Sequence, residues 1–461
     1  MTNKNNTLSN CISLILNSMM KFINDWNSGC TLKTKKCGII PMATSNPLTK
    51  QFLLAAKYQE IHALKQLQNS CASLTKLGDF VHQLQKERAM SNIFLASNRE
   101  RFKTQLQEQI PLSSSAQTAF YDSLKQTFIN DNADTGHTRL FNLITYSLQT
   151  LDALPELRNQ IAQQNISAVH ATQSFTQLIA SLLNIILEAA DGASDPKITR
   201  LLVAFFNFMQ GKEYAGQERA CGAQAFAASK FTTEQKQQLA HFEQEQNHSF
   251  DFFNEYADAH LLKCFATLTT HQVNNQVEQL RSLLQKLDDE NAQPLSQLSE
   301  VWYEVTTTRI DIMHKIEQNI ADQLIDTAAM QIAFAQRSLN TNKQVLNNMA
   351  EQHIAPTFGQ LAIKQPEPEV NQNIAADKLN SNKTMYDLII EQSQHIKQIN
   401  QALLDAKKVI SEQKVIHQAK YILIEQLKLT EEQAHKQLQK QAMDTHKTLF
   451  SVAQTIVQMS D

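Results

Sequence analysis

Along residues 51–345 the apolar positions recur three and four apart in long runs, as Leu64, Leu67, Leu74, Leu77, Phe80, Val81 and Leu84 do. That period gives each segment one apolar stripe and predicts helices that hide their stripes against one another. Interruptions near Pro111 and at 131–136, 191–196, 230–233 and 291–294 divide the region into roughly six to eight antiparallel helices, the makings of one or two bundles. Around 350–380 the pattern stops among Pro356, Gly359, Pro366 and Pro368, which reads as a linker spanning 346–380. Beyond it Ile389, Ile396, Leu403 and Ile410 repeat at sevens, with Ile399 and Ala406 at intervening d-like positions. A short coiled coil, and with it a homodimer, is the expectation, although Gln392 and Gln413 weaken the seam.

The end of the chain reads as three helices: one running on to Leu427, one over 430–443 with Thr430 and Gln433 as its capping box, and one over 447–459. Residues 1–50, with Trp26, Pro41 and Pro47, lack a period and read as an irregular extension. The predicted architecture is thus all-α. A large helical region of one or two antiparallel bundles (51–345) leads through the linker to a coiled coil and a small three-helix domain (381–461). The scarcity of turn formers, nine glycines and nine prolines in 461 residues, supports it.

A net charge of −3 supplies no global field toward nucleic acid or an anionic membrane, so such a partner must be met by a local patch. Six cysteines without a CxxC pair suit a reducing compartment, and the expected location is the cytoplasm. Residues 11–20 are interrupted by Asn17 and Ser18 and do not read as a signal peptide, and no window predicts a membrane span.

The most informative internal feature is a near-duplication. Lys86-Glu87-Arg88-Ala89-Met90-Ser91 is echoed by Gln217-Glu218-Arg219-Ala220-Cys221-Gly222, and each is followed by Phe, small residues and Ser: Phe94, Ala96 and Ser97 against Phe226, Ala228 and Ser229. Each helix carries one arginine among small and apolar neighbours. Two guanidinium forks converging between helices can hold an oxyanion through charge-assisted, bidentate hydrogen bonds, and the anion would neutralise cations that are costly to bury. The plainer alternative makes Glu87 and Glu218 partners in surface ion pairs.

The stretches VHQLQKERAMSNIFLAS, KEYAGQERACGAQAFAASKF and WYEVTTTRIDIMHKIE, within residues 75–345, resemble the nitrate- and nitrite-sensing (NIT) domain. The resemblance implies an all-helical sensor of two four-helix bundles, with nitrate or nitrite held by Arg88 and Arg219. The family usually has glycine after the first Glu-Arg, where Ala89 stands here. Nitrate has three oxygens to satisfy, which invites a third arginine. Arg281 is the candidate, with Arg309 behind it, while Arg200 reads as a solvated helix end.

Residues 406–457 resemble the ANTAR domain, an RNA-binding module of antiterminators, through Val415, Ile416, Ala419, Lys420, Leu438, Ala442, Leu449, Val452, Ala453 and Ile456. Gln413 and Gln439 stand where that family often has arginine, and Tyr421 where it often has glycine. Eight lysines face seven acids between 400 and 461, so the electrostatic footprint is local at best. Lys436, Lys440 and Lys447 form a candidate strip, and Lys420 with a stacking Tyr421 completes the RNA-binding set. The resemblance implies that leader RNA hairpins are the target.

Glu245-x-x-His248 and Glu432-x-x-His435 have di-metal spacing, but chance pairs are expected among 14 histidines on helices. No GxxxxGK[ST], GxGxxG or HExxH occurs, so neither an enzyme nor a cofactor is expected. Two readings stand at this point: a nitrate- or nitrite-responsive antitermination regulator, and a helical signalling protein that senses a small anion and acts through protein partners.

Overall fold

The computed structural model describes residues 47–97, 101–130, 138–228, 231–286, 298–351, 385–427, 429 and 431–460. The described residues are helical almost throughout, with no strand among them. Residues 47–349 and 373–461 belong to one compact unit, and of the rest only 350 and 351, the end of a long helix, are described. Most of the expected extension and linker, and the proposed Thr430 cap, lie outside the described residues.

The sensor contains α1 (Pro47–Ala96), α2 (Lys103–Leu124), α3 (Thr138–Leu151), α4 (Leu154–Gln163), α5 (Ala168–Gly192), α6 (Pro196–Ala228), α7 (Thr233–Tyr256), α8 (Ala259–Thr269), α9 (Gln272–Gln285) and α10 (Leu298–Glu351). α1 packs against α2, α5 and α6, and α3 against α5, while α6 lies along α7 and touches α9. One core runs from Leu77 and Phe80 through Phe175 and Leu182 to Phe205, Ile316 and Leu324. A second gathers Phe226, Phe231, Leu239, Val277, Leu284 and Trp302.

Two sequence expectations change here. Pro111 does not end a helix but sits inside α2. It and Gln107, whose carbonyl loses its intrahelical donor, are both exposed, so water can satisfy the lost bond while Leu106, Gln109, Ser113 and Phe120 hold the buried face. The sensor also has more breaks than glycine and proline mark. The Asp258 carboxylate accepts from the backbone N–H groups of His260 and Leu261, both at 3.0 Å, and starts α8; the His271 ring accepts from Val273 and starts α9. Caps explain the expected breaks at 191–196 and 230–233, while those at 131–136 and 291–294 lie outside the described residues. Asp195 accepts from Lys197 and Ile198 ahead of α6, with Pro196 in the first turn, and Thr232 and Gln235 make a capping box at the start of α7.

The effector comprises α11 (Met385–Leu427), α12 (Glu431–Thr445) and α13 (Leu449–Ser460), closed around Ala419, Leu423, Ala434, Leu438, Val452 and Ala453. The heptad face of α11 divides. Ala406 is buried and Ile410 enters the main sensor core, whereas Ile389 and Ile396 stay exposed.

Candidate anion site and effector junction

α1 and α6 carry the duplicated Glu-Arg pairs, and neither pair reaches the surface. Glu87, Arg88, Glu218 and Arg219 are all buried, so the surface-pair alternative fails. Each glutamate is clamped by another arginine through two parallel hydrogen bonds. Arg158 on α4 gives Nε and Nη2 to Glu87 at 2.7 and 2.9 Å, and Arg281 on α9 gives Nε and Nη2 to Glu218 at 2.6 and 2.8 Å. Arg281 therefore orients Glu218. It also pairs with Glu278 and Glu243, and although burial opposes its charge, Glu218 holds its pKa above the ordinary value. The Glu218 carboxyl is in turn kept below its usual range, with burial opposing and Arg281 outweighing it. Arg309, the other reserve candidate, donates to Asn274 and Gln246 and lies 3.9 Å from Glu218.

The two central arginines also share a pattern. Arg88 Nη1 donates to the Thr176 hydroxyl at 2.9 Å, and Arg219 Nη1 to the Thr307 hydroxyl at 2.9 Å. Their close approach is visible in the connecting bonds. Arg88 pairs with Glu213, which precedes Arg219 by six residues on α6; Gln85 donates to Glu213 at 2.8 Å, and the Gln85 backbone carbonyl accepts from Arg219 Nη2 at 3.0 Å. Gly216 makes room, since a Cβ there would lie 2.7 Å from Arg88 Nη2.

Charge separates them. Arg88 is neutralised by Glu213, but among the described residues no carboxylate lies within 4 Å of the Arg219 guanidinium. Other buried charges around it are matched: Lys212 with Glu317, Glu87 with Arg158, Glu218 with Arg281. Burial first, and then the Arg88 charge against the help of Tyr303, lowers the Arg219 pKa. The Tyr303 ring under the guanidinium, 5.4 Å from its carbon, gives only partial compensation. The Nε of each central arginine is buried without an acceptor. Among the described residues the core around the two arginines thus holds one excess positive charge and two unused donors, an arrangement suited to a small singly charged acceptor.

Glu213, Gln85, Thr176, Thr307 and Arg158 escaped sequence reasoning. A signal was present, since Thr176 and Thr307 stand at equal distances after the two arginines.

The effector rests on the sensor along the same α6. Gln413 donates to Asn207 at 3.0 Å, and the Tyr214 hydroxyl donates to Glu431 at 3.1 Å. Lys414 pairs with Glu188 and Asp191 at 2.5 and 2.6 Å. Lys420, expected on the RNA face, is buried 3.8 Å from both Glu245 of α7 and Glu431. His435 lies 3.3 Å from Glu245 and near the His241 ring. Burial, then Lys420, pushes the His435 pKa down to about 4, and burial likewise takes His417, against Phe206, to about 3. Tyr421 is half exposed, and Lys436, Lys440 and Lys447 are exposed. No group of ligands able to hold a metal occurs among the described residues, and no described helix is long and apolar enough to cross a membrane.

The chain matches the family described as nitrate and nitrite sensing over residues 79–325, and the ANTAR domain over 405–457. It is 28% identical over 419 residues to the nitrate regulatory protein of Klebsiella oxytoca, an alignment covering 90% of this chain and 96% of that one. The solved structure of the NasR transcription antiterminator is similar to it with a TM-score of 0.55 and 25% identity, over 90% of this chain and 99% of that one.

Proposed function

Since the chain belongs to the nitrate- and nitrite-sensing family and ends in an ANTAR domain, we propose that it is a nitrate- or nitrite-responsive regulator of transcription antitermination, not an enzyme. The anion is held by Arg88 and Arg219, and Arg281 positions Glu218 instead of touching the ligand. The single observation that carries this reading is the buried Arg219 guanidinium, which has no carboxylate partner among the described residues and lies within the electrostatic reach of Arg88. One uncompensated charge favours a singly charged anion over sulfate or phosphate.

α6 links the two ends of the mechanism. It carries Arg219 and Glu213 at the anion site and Asn207 and Tyr214 at the effector junction. Anion binding cancels the excess charge, re-seats α6 against α1, and loosens the effector. Lys420, buried at the junction, then joins Tyr421, Lys436, Lys440 and Lys447 on leader RNA hairpins. The protein acts in the cytoplasm as a homodimer, with the exposed Ile389 and Ile396 face of α11 contributing to self-association.

A gel-shift titration of a two-hairpin leader RNA with the full chain tests this. Nitrate should strengthen RNA retention at least about tenfold, and Arg219→Met should remove the nitrate response without removing the basal shift. Retention that ignores nitrate in the wild type, or a variant that responds as the wild type does, would sink the reading.

A further inference from the structure

The two halves of the sensor diverge one turn beyond their Glu-Arg pairs. In the second half, Gly222 leaves space that the Trp302 indole takes up, 2.4 Å from where a Cβ would sit. At the offset that relates Arg88 to Arg219, the first half has Ser91 in place of Gly222 and Ala171 in place of Trp302. The large side chain that closes the second half has no counterpart there.

Ser91 instead lines a cavity of about 130 Å³. Its walls are apolar, from Phe94, Leu106 and Ile161, and its floor is the Glu87–Arg158 pair. Lys103 and Ala162, both exposed, stand at its mouth. The Ser91 hydroxyl is buried with no hydrogen-bond partner, a group that a native core leaves unsatisfied only rarely. The floor pair cancels, so the charge left over is that of Lys103. Arg158 adds donors of the same sign, because Glu87 and Ser114 take only three of the five N–H groups of its guanidinium.

We propose that this cavity is a second ligand site, separate from the nitrate site, for a small monocarboxylate with an apolar body about the size of an aromatic ring. A dry cavity of roughly 150 Å³ holds one benzene ring, which sets the size of the body. The carboxylate lies at the mouth, on Lys103 and the outer N–H groups of Arg158. The body fills the space between Phe94, Leu106 and Ile161, and a polar substituent reaching the floor meets the Ser91 hydroxyl.

Sodium benzoate is the probe, titrated calorimetrically into the full chain with nitrate already saturating. One saturable site is expected. Ala162→Trp, which plugs the mouth from an exposed position and so spares the fold, should weaken benzoate about tenfold or more. Lys103→Met should weaken it about threefold, and benzyl alcohol, with the ring but no charge, should bind the wild type more weakly by a similar factor. Absence of a saturable site, an Ala162→Trp protein that binds benzoate as the wild type does, or competition between benzoate and nitrate overturns the site. Equal binding of benzoate and benzyl alcohol overturns its assignment to a carboxylate.

Discussion

Around their Glu-Arg pairs, the two halves of the sensor use the same parts. A glutamate on a long helix is clamped by an arginine from a short one, Glu87 by Arg158 and Glu218 by Arg281, and the neighbouring arginine reaches a threonine, Arg88 to Thr176 and Arg219 to Thr307. What differs is charge balance. Arg88 has Glu213, supplied by the other half's helix, and among the described residues Arg219 has only neutral acceptors and the Tyr303 ring. Like geometry therefore does not mean like role. A buried cation that already has a carboxylate partner is held in place before the ligand arrives, and one with no such partner among the described residues is a demand for an anion.

Removing each central arginine should separate these roles most sharply. Both Arg88→Met and Arg219→Met should weaken nitrate at least about a hundredfold by calorimetry, since each takes away charge-assisted donors. In nitrate-free buffer their stabilities should part. Arg88→Met strands the Glu213 carboxylate and should cost about 3–5 kcal/mol, whereas Arg219→Met removes a charge with no carboxylate partner among the described residues and should be neutral or stabilising. Denaturant midpoints measure the split, and equal destabilisation would erase the distinction drawn between the halves.

A second, smaller contrast lies in the clamps. Arg158→Met leaves Glu87 buried without a second cation, but Arg281→Met leaves Glu218 with Arg309 at 3.9 Å and a hydrogen bond from Gln246 at 2.7 Å. The first loss should cost about 3–5 kcal/mol and the second about 2 kcal/mol less. Thermal unfolding of the two variants checks the order. Should Arg281→Met prove the more damaging, Arg309 does not share the Glu218 charge.

These contrasts also mark what could be read from the residues alone. The two arginines were legible because the Glu-Arg segments repeat with small and apolar flanks, and the all-helical architecture was legible because the period holds over long runs. Glu213 and Gln85 were not. Their partners lie more than a hundred positions away in the chain, and a lone acid on a helix looks the same whether it faces water or a guanidinium. Arg281 was found, but its neighbour Glu218 could not be seen to claim it. Pro111 misled because tolerance of an interior proline depends on which side of the helix meets solvent, a property of packing. The Asp258 and His271 caps leave no mark on the apolar period, because neither residue type breaks a helix by itself.

The smallest effect concerns the junction, where the second half's Glu245 is ringed by Lys420, His435 and His241. His435 and His417 have pKa values near 4 and 3 when the effector is seated, both set first by burial and then by Lys420, against about 6.5 for a solvated histidine. Because the seated values are depressed, the released effector binds more protons, so seating is strongest above about pH 6.5 and is lost as pH falls toward 4. Between pH 7.5 and 5.5 each histidine should weaken seating by about tenfold, or roughly 1.4 kcal/mol. Protease accessibility of α11 in nitrate-free protein reports release. Gln replacing both His417 and His435 should flatten the pH profile, while the nitrate response, proposed to act through Arg219, should persist. A profile unchanged in the double variant would move the pH-sensitive contact away from Glu245 and leave the two halves equal in their hold on the effector.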